Sequence, residues 1–548
     1  MEAHKIPIIA APKYKEAIKA IPGANWDPVQ RCWFIPCTVT AADALRCIPG
    51  VPVPEELAQL APIDMQDTAF EGAVPLRPMP IRVKPYAHQI AAYNLAITEP
   101  AAALLHEQGC GKSLTAIAAT GRRYLDGQIR KLLIVAPLAV LPVWEREFTD
   151  YSTIPHRVTL LQGDTRRRAQ QLDELDHTPG AQLDIVVINY EAVRLLEKEL
   201  TAWAPDMILC DESQRIKTPT AKQSKVMHNL GQRAQYRMIL TGTPVSNTPL
   251  DFWSQYAFLK PGLFERSYYA FRNHYAVMGG YGGYEIVKYK CLDDLTRKAH
   301  SIAHRVTKDQ ALDLPERIDQ TLYCELEPKA AKLYKELVRD RVAELSALAR
   351  VTTPQVVTQM LRLSQLTGGY LVPDDGTLTK VSDAKRQLLR ETLEDLLERG
   401  EKVVIFCRFR AEIAEICALA EKLTGKDGYR GIWGEIPGEQ RGEAVRTFQQ
   451  DPGVRIFIAQ IQCAGAGITL HAASTAIFYS LDYSFNNYDQ AKARIHRIGQ
   501  HRPCTYLHLV AKDTIDELVL KTLAEKRSIA DAVVDNWKAF FNAKGERK

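Results

Sequence analysis

The sequence predicts an α/β protein built on two parallel β-sheets in tandem, with a small α+β module ahead of them. Three observations carry that reading. Short apolar strands alternate with helical stretches, and the alternation runs through the chain twice. Each strand candidate stops where Gly or polar residues begin, as strands buried on both faces do. Prolines crowd one early segment: eight of 30 lie between Pro49 and Pro85, where even spacing would put roughly two, and such a stretch resists both helix and central strand.

Whole-chain figures limit the function classes. A chain of 548 residues is long enough for three or four domains of roughly 150 residues each. With 46% hydrophobic and 25% charged residues, a disordered or fibrous protein is excluded. Lys and Arg total 70 against 65 Asp and Glu, a net charge of +5. That excess permits nucleic-acid binding through local patches without predicting it. The 11 cysteines contain no C-x-x-C pair, which points to a reducing compartment and away from a disulfide framework. Cys32, Cys37 and Cys47 lack zinc-ligand spacing and read as small apolar filling. The Met-Glu-Ala-His start has no leader pattern. The longest apolar run, Leu132 to Trp144, is broken by Pro137 and Pro142 and falls short of the roughly 20 residues of a membrane helix. The expectation is a soluble, cytoplasmic protein that binds no membrane.

In chain order, residues 1–50 form the small module. Asn25-Trp26-Asp27-Pro28 reads as a turn, Arg31 to Pro36 as a strand, and Thr40 to Cys47 as a helix capped by Thr40. Residues 51–81 read as a semi-rigid, proline-rich linker. The first sheet, within 82–315, takes Ala101–Leu105, Leu132–Ala136, Ile185–Asn189, Met207–Cys210 and Met238–Leu240. A helical, aromatic-rich stretch begins near 250, and its Gly279-Gly280-Tyr281-Gly282-Gly283 run reads as a flexible turn or a nucleic-acid-touching loop. A helical connection, 316–380, leads to the second sheet within 381–548. That sheet takes Val403–Cys407, Arg455–Ala459, Thr475–Tyr479 and Tyr506–Val510, with helices at Ser382–Arg399 and Thr514–Lys526.

Three motifs carry chemistry. In His106-Glu-Gln-Gly-Cys-Gly-Lys-Ser113 a strand, a glycine loop and Lys-Ser run into a helix, the layout of a phosphate cradle. Gly109, Cys110 and Gly111 let backbone N–H groups close on the anion, Lys112 reaches the β- and γ-phosphates, and Ser113 ligates Mg²⁺. His106 stands where such loops begin with Gly, so G-x-G-K-S alone could be a chance turn. The second motif, Met207-Ile-Leu-Cys-Asp-Glu-Ser-Gln214, decides the matter. It is an apolar strand ending in two acids, and alternation along the strand lets the neighbours take different tasks. Asp211 is suited to holding Mg²⁺ and Glu212 to polarising the attacking water. Together the motifs predict NTP hydrolysis. Third, Arg494 and Arg497 lie three apart in Gln490-Ala-Lys-Ala-Arg-Ile-His-Arg-Ile-Gly-Gln500. On a helix they would share a face and form an anion clamp for a γ-phosphate.

The stretch from about 82 to 526 resembles the Swi/Snf-type DNA translocases of helicase superfamily two. Val83-Lys-Pro-Tyr-Ala-His-Gln89 looks like the adenine-recognising segment, with Gln89 as the reader. Leu132–Trp144, Ile188–Glu191, Leu240-Thr-Gly-Thr-Pro244, Phe271–Tyr275 and Arg305–Asp309 follow in the family's order. Val403–Cys407, Ala464-Gly-Ala-Gly-Ile-Thr-Leu470 and Arg494–Gln500 complete the series. The resemblance implies two RecA-like lobes with helical insertions and an ATP site between them. It also implies arginine fingers at Arg494 and Arg497, and coupling of hydrolysis to DNA contact through Gln214, Thr241, Gly465, Gly467 and Gln490. Asn189, Thr241 and Gly465 stand near expected DNA contacts. The usual Asp-Glu-Ala-His reads Asp211-Glu-Ser-Gln214, so coupling rests on an amide that does not titrate near neutrality. The aromatic-Asn-Pro motif reads Phe485-Asn486-Asn487. These variants look like compact bacterial or phage members.

Ile21–Pro28 followed by Cys32-Trp-Phe-Ile-Pro36 resembles a HepA-related (HARP-type) module, which implies recognition of forked DNA. Within so small a module the pair Trp26 and Trp33 reads first as core. The expected activity is DNA-stimulated ATP hydrolysis driving translocation on duplex or forked DNA, for fork remodelling or strand annealing. The alternatives are a strand-separating DNA or RNA helicase, and a remodeller that strips proteins from DNA. Expected partners are DNA and replication or repair proteins, for a monomer associated with the nucleoid.

Overall fold

The computed structural model describes residues 5–530, apart from 59–69, 177–180, 348–352, 372–377, 466–467 and positions 20, 22, 23, 38, 47, 49, 71, 281, 283, 284 and 313. The chain divides into two compact units, the first running to Ala311 and the second from Leu312 to Ser528.

The N-terminal module is a three-stranded antiparallel sheet, β1 (Lys5–Ile8), β2 (Asn25–Asp27) and β3 (Cys32–Pro36), in the order β1-β3-β2. The expected turn at Asn25–Asp27 is thus a strand. Trp26 pairs with Trp33 across the ladder, and the turn begins only after it, at Pro28, where Asp27 Oδ1 accepts the Val29 N–H at 2.8 Å and the Gln30 N–H at 3.0 Å. Trp33 is 5% exposed and belongs to the core, whereas Trp26 is 47% exposed at the sheet edge. The next helix spans Val39–Arg46, so Thr40 lies inside its first turn and cannot cap it. The core of the module also takes in Val51 and Leu57, beyond the first of the clustered prolines. Further on, the proline-rich segment is no free spacer. Tyr93 Oη donates to the carbonyls of Arg77 (3.1 Å) and Pro78 (3.2 Å), and Asn94 bonds Leu76 and Val74. A run of prolines leaves its carbonyls unpaired, and the helix Ala87–Thr98 takes them up.

The first large sheet joins β4 (Ala101–His106), β5 (Lys131–Ala136), β6 (His156–Leu160), β7 (Leu183–Asn189), β8 (Met207–Asp211) and β9 (Tyr236–Leu240). After a hairpin of β10 (Ala276–Gly279) and β11 (Glu285–Tyr289), β12 (Ala303–Val306) completes it. The order is β12-β4-β9-β8-β5-β7-β6 and every pairing is parallel. All five expected strands are present. The β10–β11 hairpin turns at the glycine run, where Gly280 and Gly282 have φ of 72° and 75°, bearing out the turn reading.

The second sheet opens with a strand that the sequence reading assigned to a helical connection, β13 (Arg317–Cys324). A short pair, β14 (Tyr370–Leu371) with β15 (Thr379–Lys380), stands outside the sheet. The other sheet strands are β16 (Val403–Cys407), β17 (Tyr429–Ile432), β18 (Ile456–Gln460), β19 (Thr475–Phe478) and β20 (Cys504–Ala511). The order is β13-β20-β19-β16-β18-β17, again parallel throughout. As an edge strand β13 mixes polar and apolar residues, with Ile318 and Tyr323 exposed, so it lacks the continuous apolar run that marks its buried neighbours. Each unit is therefore a RecA-like parallel-sheet lobe with helical additions. Among the described residues no helix is long and apolar enough to cross a membrane.

Candidate active site

Strand β4 ends in the loop 107–111, and the helix Lys112–Leu125 starts directly behind it. Gly109 (φ 90°) and Gly111 (φ 75°) are both left-handed, a geometry that favours glycine. A Cβ on Gly111 would also sit 2.0 Å from Gln89 Nε2. Two side chains of the preceding helix hold this loop. His88 Nε2 bonds Cys110 O at 2.9 Å, and Gln89 Nε2 reaches Gly111 O at 3.4 Å while its Oε1 accepts the Tyr86 N–H at 2.9 Å. Lys112 Nζ donates to the carbonyls of His106 (2.9 Å) and Glu107 (3.2 Å). Burial draws Lys112 below the ordinary amine range, against the pull of Glu212. Burial also pushes the Cys110 thiol up to about 11. His106 is fully buried, and its Nε2 bonds His304 Nδ1 at 3.0 Å. It faces β12 beneath the loop, which explains how a bulky residue is accommodated where a glycine was expected.

The two acids diverge by a different device from the one the sequence suggested. Strand β8 ends at Asp211, and Glu212 takes a left-handed conformation, φ 52° and ψ 53°. A left-handed non-glycine residue costs about 1–2 kcal/mol, and the surroundings hold it there. Gln108 Nε2 donates to Glu212 Oε1 at 2.8 Å, and Gln214 Nε2 donates to Oε2 at 2.7 Å. Asp211 accepts the Trp144 indole N–H on Oδ2 at 3.0 Å, and its carbonyl accepts the Tyr190 hydroxyl at 2.7 Å. Burial, with the charge of Glu212 adding, pushes the Asp211 carboxyl up to about 7.

From Glu212 a chain of hydrogen bonds leads away. Gln214 Oε1 accepts the Thr241 hydroxyl at 2.7 Å, and Thr241 Oγ1 accepts the Thr243 N–H at 3.1 Å. Gly242 lies against the phosphate loop, where a Cβ would come within 3.2 Å of both Gln108 N and His106 O. Arg305, on β12, fastens the same two segments. Its Nη1 donates to Leu105 O (2.7 Å) and Gly242 O (3.2 Å), and Nη2 lies 3.7 Å from Glu107 Oε1. His88, Gln108, Trp144 and Arg305 escaped the sequence reading as parts of the site. All four stood inside motifs read from the sequence but without a role of their own; that of Trp144 follows from a buried indole N–H, which needs an acceptor.

In the second unit Arg494 and Arg497 do not lie on a helix. The helix Phe485–Lys492 stops before them, and the chain continues in turns to Gly499 at φ 97°. The arginines converge nonetheless. Arg494 Nη1 lies 3.5 Å and Arg497 Nη1 3.1 Å from Ile468 O, and Leu470 N–H donates to Arg494 O at 2.9 Å. Gln500 Nε2 ties the turn by donating to the carbonyls of His471, Ala473 and Ile495. Gln490 is buried on the helix, its Nε2 3.3 Å from Asn486 Oδ1. In the Phe485-Asn486-Asn487 variant, Asn487 N–H donates to the capping Ser484 hydroxyl at 3.2 Å. Gly465 closes the 3₁₀ turn Ile461–Gly465, and Gly467 lies outside the described residues.

The expected Mg²⁺ suits the donors. Ser113 and Asp211 offer oxygens alone, the preference of a hard cation that keeps water and phosphate ligands. Burial and the neighbouring Glu212 charge disfavour the charged Asp211 carboxylate, a cost that a divalent cation beside it would relieve.

The profile of the SNF2-related domain matches residues 86–368, and that of the helicase conserved C-terminal domain matches residues 384–499. The first match alone covers more than half of the chain. The chain belongs to the SNF2-related family. It carries that family's helicase-like ATPase core, in two RecA-like lobes. Chromodomain-helicase-DNA-binding protein 1 of Gallus gallus is 27% identical over 451 residues, covering 79% of this chain and 25% of the relative. An uncharacterized ATP-dependent helicase of Mycoplasma pneumoniae is 24% identical over 443 residues, covering 80% of this chain and 41% of the relative. The chain thus spans less than half the length of these curated relatives. The solved Sulfolobus solfataricus SWI2/SNF2 ATPase core in complex with dsDNA aligns at 26% identity and a TM-score of 0.40, over 84% of this chain and 95% of that one.

Proposed function

We propose that the chain is a DNA-stimulated ATPase that turns hydrolysis into translocation along duplex or forked DNA. The observation that carries the reading is the bonded series Gln108–Glu212–Gln214–Thr241. It joins the phosphate loop, the acid suited to activating water and the Thr241–Pro244 segment in one network. A hydrolase that released only phosphate would have no need of such a link. A motor needs each hydrolytic event felt elsewhere.

Gln89 reads the adenine, and the Gly109–Ser113 loop with Lys112 holds the phosphates. Ser113 and Asp211 hold Mg²⁺, which when bound supplies positive charge to the phosphate oxygens. Glu212 orients water for attack on the γ-phosphate, and Arg494 and Arg497 stabilise the charge that develops there. Gln214, Thr241, Gly465, Gly467 and Gln490 couple that chemistry to DNA held mainly by its phosphates. The N-terminal module, with Trp26 exposed at its edge, supplies preference for branched DNA as a HARP-like element would.

Steady-state ATPase with duplex, single-stranded and forked DNA and with RNA, at one salt concentration, tests the reading. Duplex and forked DNA should stimulate most. Equal stimulation by RNA or by single strands would favour a strand-separating helicase. Deleting residues 1–60 should leave duplex stimulation intact and lower the ratio of forked to linear stimulation. An unchanged ratio would reduce the chain to a general duplex translocase.

A further inference from the structure

A second cluster of nucleophilic and titratable groups lies in the first unit, away from the nucleotide motifs. The β10–β11 hairpin sets the end of the helix Tyr268–Tyr275 beside the start of the helix Leu292–His300. Ala276 pairs with Tyr289, and Lys290 N–H donates to Tyr275 O at 2.9 Å. Cys291 is the residue at the N-terminal cap of the second helix, half-buried and left-handed at φ 52°. Its side chain is hydrogen-bonded to His274. His274 Nδ1 also bonds Glu265 Oε1 at 2.5 Å, with the two side chains 12% and 7% exposed. The Tyr275 ring stacks on the imidazole, centroids 4.4 Å apart and 6° from parallel. A thiol, a base and a carboxylate that orients the base are the three parts of an activated nucleophile.

The other charges around the cluster are largely paired. Asp294 Oδ2 accepts Lys298 Nζ at 2.9 Å and the Tyr275 hydroxyl at 2.6 Å, with Arg297 3.9 Å from Oδ1. Asp293 adds negative charge in the first turn of the helix, while the helix N-terminus itself favours an anion at the cap. Burial pulls His274 down, yet its bonds to Cys291 and Glu265 lift it to about 9. The half-buried Cys324 and Cys417 are pushed up to about 11 by burial, and burial raises Cys463 as well.

We propose that Cys291 is a modification site, held as a thiolate against the His274 imidazolium and reactive toward peroxides and other soft electrophiles. With a peroxide, the thiolate sulfur attacks one oxygen, an S–O bond forms and the O–O bond breaks. Sulfur is oxidised to the sulfenic acid and the peroxide is reduced. The departing hydroxide takes the His274 proton and leaves as water.

The test is alkylation of the full-length protein by iodoacetamide between pH 6.5 and 8.5, each cysteine followed by peptide mass spectrometry. A thiol of ordinary pKa slows about 50-fold over that range as its thiolate fraction falls. Cys291 should slow less than about threefold, since a thiolate already formed has little left to lose. His274→Asn should restore the steep profile, and Glu265→Gln should move it part of the way. After peroxide, a dimedone adduct should appear on Cys291 before any other cysteine. Three outcomes would overturn the proposal: a steep wild-type profile, no labelling of Cys291 in the folded protein, or a flat profile retained in folded His274→Asn. Should His274→Asn fail to fold, the wild-type profile and Glu265→Gln decide alone.

Discussion

Around Asp211 and Glu212 the charged groups are held by side chains: an indole on one acid, two amides on the other, and an ammonium folded onto loop carbonyls. The arginine turn of the second unit works with different material, both guanidinium groups reaching the single carbonyl of Ile468. A neutral carbonyl is a weaker acceptor than a phosphate oxygen, so an arginine can trade it for a phosphate at a net gain. The first arrangement sets a geometry before substrate arrives, and the second gathers two guanidinium groups at one carbonyl, a bond that either can exchange for one to a phosphate oxygen. Preset acids and releasable arginines should therefore respond differently to mutation.

The largest effect is expected at the preset corner. Lys112→Ala and Glu212→Gln should each bring ATP turnover to background while DNA binding without nucleotide persists, measured by ATPase assay and fluorescence anisotropy. Near-normal turnover in either would break the comparison at its stronger end. Arg497→Ala should lower turnover by about 10³-fold, at the low end for an arginine finger, with little change in ATP affinity. Weak binding with normal turnover at saturation would place this arginine among the groups that hold the ground state. Smaller changes should follow at the amides. Gln108→Ala or Gln214→Ala leaves one oxygen of a buried Glu212 without its donor, worth roughly 1–3 kcal/mol, or about 5- to 150-fold in turnover. Because Gln214 also receives Thr241, its loss should reduce DNA stimulation more than Gln108's does. Equal losses would show that the network ends at Glu212.

The smallest effect concerns stability. His274 is raised in the folded state, to about 9, above the roughly 6.5 of a free imidazole. Its contribution is therefore complete below about pH 6.5 and is lost as pH rises through about 9. Between about pH 6.5 and 8.5 the unfolded Cys291 thiol takes up the proton that the unfolded imidazole gives up, so the urea midpoint of the wild type should stay level there and fall only as pH rises further, through about 9.

Most of the architecture was legible because buried parallel strands announce themselves as apolar runs. Ala101–Leu105, Leu132–Ala136 and Val403–Cys407 could hardly be read otherwise. β6, β12, β13 and β17 were missed because edge strands mix polar and apolar residues. The Lys-Ser and Asp-Glu motifs were legible because a phosphate cradle needs fixed spacing along the chain. Gln108, Arg305 and His88 were not, since their value comes from partners 104, 200 and 22 residues away. Nor could sequence reveal that Glu212 turns left-handed, because that conformation is imposed by both amides at once. The arginines misled in a different way. A spacing of three suggested a helical face, but a turn brought them to one carbonyl all the same.

Gly242 shows how displacement is passed on without any side chain taking part. Its backbone rests so closely on that of the phosphate loop that a methyl group would fit only if the loop gave way by a few tenths of an ångström. Side chains between two segments act as a cushion, since rotamers absorb small shifts before they spread. Here the cushion is missing, and closely packed protein is nearly incompressible. A movement of a few tenths of an ångström on one side must therefore emerge on the other almost undamped, as in a gear train without backlash.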